Sequence, residues 1–170
     1  MDIDYRLYKR KLAIGMFIVA ITGTISHFVY DLSGQNKFIG YFFPVNESTW
    51  EHMKLAFFPM LILSIVLFDK VRRKCGYNFS LMAGTLTATW LIPFLYYTYK
   101  GILGFSRPWL DISTYYASLL FTFFLMLHIA GRTGEKSYKL IFNIALSIVV
   151  CQAIAFVIFS YHPLTLGIFS

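Results

Sequence analysis

Few side chains in this sequence can do chemistry, and most of those that can fall in two short stretches. His27 and Asp31 stand four residues apart, as do Glu47 and Glu51, and His52 and Lys54 follow at once. On a helix, residues i and i+4 share a face, so each stretch would present its polar groups to one side. Imidazole and carboxylate groups are ligands for a divalent transition metal, zinc foremost. Brought together, His27, Asp31, Glu51 and His52 would form such a site. A metal held there would lower the pKa of a bound water for hydrolysis of a lipid or lipid-linked substrate, with Glu47 or Glu51 as base. No H-E-x-x-H pair or comparably tight spacing accompanies them. Without a metal, the same groups would line a pocket for a small polar or charged solute, an ion or a proton.

What must position these groups follows from composition. Of 170 residues, 58% are hydrophobic and 14% charged, against about 45–50% and about 25% in an ordinary soluble domain. A water-soluble fold of this size could not hide so much apolar surface, and the 19% aromatic share points the same way. The chain reads as one integral membrane domain over residues 1–170. Its two cysteines, Cys75 and Cys151, lie too far apart for a CxxC redox pair or a zinc knuckle. A disordered chain and a disulfide scaffold are excluded.

A helix rising 1.5 Å per residue needs about 20 apolar residues to cross roughly 30 Å of hydrocarbon. Five runs qualify, at 12–30, 48–68, 81–99, 112–131 and 138–160, which predicts an all-α polytopic bundle. The second run is the weakest, since it becomes strictly apolar only at Leu55. Arg6, Lys9, Arg10 and Lys11 precede the first run; Lys70, Arg72, Arg73 and Lys74 follow the second; Arg132, Lys136 and Lys139 follow the fourth. That leaves only Lys37, Lys54, Lys100 and Arg107 for the other side. The positive-inside rule then puts the N-terminus in the cytoplasm and the C-terminus outside. The net charge of +7 is thus a topology signal, not a nucleic-acid footprint. The first run is too long for a signal peptide, has no A-x-A-like site and carries His27 and Asp31.

On this topology His27 lies about 8 Å outward of the midplane, and Glu51, His52 and Lys54 about 6–10 Å outward. Asp31 falls near the hydrocarbon boundary. An ionisable group at depth costs about 2.5–3.5 kcal/mol on insertion scales and marks a candidate site. The expected outward pocket comprises His27, Asp31, Glu47, Trp50, Glu51, His52 and Lys54, extended by Trp90 and Gln152. Thr87, Thr122, Ser147 and Cys151 would continue it or serve as hydrogen-bonding glue between helices. The competing reading of Glu47 and Glu51 is a helix start, with Asn46 or Ser48 as cap and Ser48 and Glu51 as a capping box near the positive end of the helix dipole. The segment Leu32 to Val45, rich in aromatics and broken by Gly34, Gly40 and Pro44, reads as interfacial or re-entrant. Pro59 and Pro93 would kink their helices, while His128 and His162 stand alone. No nucleophile elbow, Walker loop or dinucleotide fingerprint is present.

His27-Phe28-Val29-Tyr30-Asp31, Ser33-Gly34, and Phe43-Pro44-Val45-Asn46-Glu47-Ser48-Thr49-Trp50-Glu51-His52-Met53-Lys54 resemble the signature of a family of small bacterial multi-pass membrane proteins with no assigned activity. The resemblance implies a bacterial cytoplasmic membrane and transfers no role to any residue. Taken together, the residues predict an outward-facing pocket for a small polar or charged ligand or ion, as in a transport or substrate-capture component. A zinc-dependent membrane hydrolase is the second expectation and a structural or partner-binding role the third. The expected surroundings are the lipid bilayer and a small-molecule or lipid ligand, with no nucleic acid.

Overall fold

In hydrocarbon every backbone N–H and C=O must find its partner within its own segment, so long apolar runs fold as helices. The computed structural model describes residues 3–68, 75–132 and 138–169. In order these form α1 (Ile3–Leu32), the short α2 (Lys37–Gly40), α3 (Thr49–Phe68), α4 (Cys75–Leu103), α5 (Pro108–Arg132), α6 (Tyr138–Phe159) and a 3-10 turn, Gly167–Phe169. The described residues contain no strand. All helices except α2 are long and apolar enough to cross a membrane, and the protein is a polytopic five-span bundle.

Three helices outrun their apolar stretches. α1 begins at Ile3 rather than near Leu12, α4 covers Cys75–Leu103 rather than 81–99, and α5 begins at Pro108 rather than Ile112. Hydropathy marks only what must lie in hydrocarbon, whereas helical hydrogen bonding continues into the flanks, carrying Arg6, Lys9, Arg10 and Lys11 on the first turns of α1. Pro108 suits the start of α5 because a first-turn residue needs no intrahelical N–H bond. Lys70, Arg72, Arg73, Lys74 and Lys136 lie outside the described residues.

Contacts run from α1 to α3, α3 to α4, α4 to α5 and α5 back to α1, closing a four-helix ring; α6 docks outside it on α4. α3 and α4 are joined by buried hydroxyls, Ser64 Oγ to Thr85 Oγ1 at 3.0 Å. Both helices run through their prolines, Pro59 and Pro93. The polar residues of α6 divide: Ser147 and Cys151 are exposed on the outer surface, while Gln152 is buried. At one end of the bundle Tyr8 stacks on Tyr77 at 4.7 Å and Phe68 on Phe142 at 5.9 Å.

The opposite end is closed by the α1–α3 connection and the C-terminal turn. Phe42 packs on Phe58 of α3, and Tyr41 on Tyr161 beyond α6. Tyr161 Oη donates to the Lys37 carbonyl at 3.0 Å. Beneath them Lys54 is fully buried, with its three donors directed at Glu51 Oε2 (2.7 Å), the Gly40 carbonyl (3.0 Å) and Ser160 Oγ (2.5 Å). One ammonium therefore ties α3 to the connecting segment and to the end of α6. Gly40 allows this close packing, since a Cβ there would overlap Tyr161 Oη and the Val45 side chain unless they shifted.

Candidate functional site

The turn before α3 sets the geometry. Asn46 Oδ1 accepts from the Ser48 N–H at 2.9 Å, and Ser48 Oγ accepts from the Glu51 N–H at 3.4 Å. Only half of the expected capping box forms. The Glu51 carboxylate reaches past Ser48 to the Val45 N–H (2.9 Å) and is held by Lys54. Glu47 precedes the helix and is left largely exposed, free to turn toward α1.

There it meets two histidines. Glu47 Oε2 lies 3.5 Å from His27 Nε2 and 3.3 Å from His52 Nε2. The two imidazole rings are 5.2 Å apart, and one ligand atom from each of the three residues falls within 4.8 Å of the others. His52 Nδ1 lies 2.9 Å from the Ser48 carbonyl. A carbonyl can only accept, so Nδ1 carries the proton, and in the neutral ring Nε2 presents its lone pair to Glu47. A lone pair facing a carboxylate oxygen repels it unless a cation lies between them, either a proton or a metal ion. Zinc bonds of about 2.0–2.1 Å in tetrahedral array put neighbouring ligand atoms about 3.3–3.5 Å apart, and the two carboxylate–imidazole separations match that spacing. The backbone bond to Nδ1 is also the outer support that orients metal-binding histidines.

The cluster opens on a cleft of about 530 Å³ between α1, α3, α4 and α5. Its floor is closed by Tyr115, whose Oη donates to the Val19 carbonyl at 3.0 Å, and by Thr24 and Tyr116, whose hydroxyls are 2.9 Å apart. Gly23 permits this closure, since a Cβ would overlap Tyr115 Oη and the Leu55 carbonyl. The far wall carries Asp111, in the first turn of α5, which accepts a hydrogen bond from Tyr99 Oη.

The expected site residues are thus sorted. His27, Glu47 and His52 converge. Asp31 is exposed near the end of α1 and lies outside this group, and Glu51 is committed to Lys54 and Val45. The set His27, Asp31, Glu51 and His52 is therefore not the one the fold assembles, because the exposed Glu47 in the turn reaches the two histidines while Glu51, at i−3 from a buried lysine, is captured by it. Lys54 borders a separate groove between α1 and α3. Trp50 is buried against Phe156 and Phe169, at 4.7 and 4.8 Å, with its Nε1 unpartnered. Trp90 faces outward on α4, and neither it nor the buried Gln152 lines the cleft. Thr122 is buried with an unpartnered hydroxyl, and His128 and His162 are exposed and apart.

Asp111, Tyr96, Tyr115 and Tyr116 also line the cleft and were not among the expected site residues. Asp111 was detectable by the criterion applied to Asp31, a carboxylate at the edge of an apolar run. The tyrosines carried no such signal in a chain with 12 of them.

No curated protein and no solved structure matches this chain. A family profile does, over residues 2–170, nearly the whole length, and the chain belongs to that family, described as a family of unknown function (DUF6512).

Proposed function

We propose that this protein holds a divalent transition metal, zinc by donor type, at His27, Glu47 and His52, and that the metal's open position receives a polar group of a ligand bound in the cleft. The observation that carries this reading is the convergence of three ligand atoms within 4.8 Å at the edge of a ligand-sized cavity. Three protein ligands with a position left open are the pattern of catalytic rather than closed structural zinc sites. With water in that position the chemistry is hydrolytic. Arg6, Lys9, Arg10, Lys11, Arg132 and Lys139 gather at the end away from the cleft, which supports an N-terminus in the cytoplasm and a cleft facing outward. The resemblance noted above favours a bacterial cytoplasmic membrane.

Elemental analysis of untagged protein tests the proposal: a single equivalent of metal is expected, lost in Glu47→Gln and His52→Ala and retained in Asp31→Asn. Wild-type protein that stays metal-free after zinc supplementation overturns it. A second reading, an outward pocket that binds a proton or cationic solute, draws on the same two carboxylate–imidazole distances, because Glu47 can share a proton with either ring.

A further inference from the structure

We infer that the ligand of this cleft is a single-chain amphiphile with an uncharged polar head, taken up sideways from the outer leaflet between α1 and α5. The inference deepens the metal reading and rests on it.

The lining of the cleft is mostly apolar, and its histidine cluster lies at one end. His27, Glu47 and His52 stand at that end and Asp111 on the far wall, while Phe28 and Ile112 line the same cavity from α1 and α5 and are each more than half exposed. On a membrane-spanning helix an exposed phenylalanine and isoleucine face acyl chains, so the cavity is bounded there by lipid rather than by protein. Below, the Tyr115–Val19 and Thr24–Tyr116 hydrogen bonds close the two helices together. Above that threshold Gly23 and Thr24 give way to His27 and Phe28, and the opening lies level with the cluster. His27 sits five residues before the end of α1, about 7.5 Å along the helix axis. A ligand entering at that level brings its head to the metal and leaves its chain among the lipids. The volume of about 530 Å³ suits one such molecule.

Charge selects the head. Among the described residues the lining holds two carboxylates, Glu47 and Asp111, and no lysine or arginine. Lys100 donates to the Tyr96 hydroxyl at the rim (3.2 Å), and Arg107 lies over the Phe105 ring. A divalent metal would balance the two carboxylates, so the lining as a whole would carry no net charge to favour a charged head group.

The test uses full-length protein in phosphatidylcholine nanodiscs, with metal content measured on every sample. The probes are a monoacylglycerol carrying a photoactivatable diazirine in its chain, the matching fatty acid and the matching alkylammonium. Cross-links are mapped by mass spectrometry. The monoacylglycerol is expected to label residues around Phe28 and Ile112, about tenfold more than either charged probe. Ile112→Trp, which narrows the side opening and leaves His27, Glu47 and His52 unaltered, is expected to cut that labelling about tenfold with metal content unchanged. Labelling spread evenly over the lipid-facing helices, a preference for a charged probe, or indifference to Ile112→Trp overturns the inference. Metal-loaded protein without focused labelling sinks it alone, whereas focused labelling of metal-free protein sinks the metal reading alone.

Discussion

Glu47 and Glu51 are the same residue type four positions apart, and the fold gives them opposite work. Glu51 is buried against Lys54, where removing one partner leaves an uncompensated charge at a cost of about 3–5 kcal/mol. Lys54→Met should therefore lower thermal stability in detergent strongly, while the double variant Glu51→Gln with Lys54→Met should recover part of the loss; equal melting temperatures for single and double variants would contradict the pairing. Glu47, by contrast, is exposed and, among the described residues, pairs with the two histidines alone. Glu47→Gln should leave the melting temperature of metal-free protein nearly unchanged and weaken zinc binding about 100-fold or more, as read by competition with a chelating dye. The histidines were legible as candidates because imidazoles are rare here and costly at depth. Which glutamate would join them was not, since helical spacing treats the two alike and only the turn at Asn46 and Ser48 separates them.

At the level of elements, the cleft depends on how closely α1 approaches α3 and α5. Gly23 makes that approach possible, and Gly23→Ala drives a methyl into Tyr115 and the Leu55 carbonyl. An overpacked contact of this kind costs about 1–3 kcal/mol. The variant should melt lower, and Tyr115→Phe in the same background should recover part of the difference, because it removes the clashing hydroxyl. Helix number and approximate position were legible, since each run of about 20 apolar residues admits only one backbone solution in hydrocarbon. Helix ends were not: α1, α4 and α5 extend into polar or aromatic flanks that hydropathy scores as loops. Nor was the cap over α3, whose aromatic segment is fastened by Lys54 and Tyr161 through contacts more than a dozen residues apart in sequence.

For the whole molecule, the distribution of basic residues predicts an orientation that can be tested directly. In a background with Cys75 and Cys151 replaced by serine, His162→Cys should react with a membrane-impermeant maleimide in intact cells and Arg10→Cys only after lysis. The reverse pattern would place the cleft on the cytoplasmic side. The sequence by itself determined the solvent, the number of spans and the small set of ionisable residues with a cost to justify, because burial of polar groups in hydrocarbon is penalised wherever it occurs along a chain. Tertiary structure alone decided that His27, Glu47 and His52 meet, that Glu51 and Lys54 serve as a staple, and that Asp111 and three tyrosines complete the cleft. Those outcomes turn on separations of about 3 Å between side chains from different helices, and no local pattern encodes which faces of a closed ring of helices will be turned toward one another.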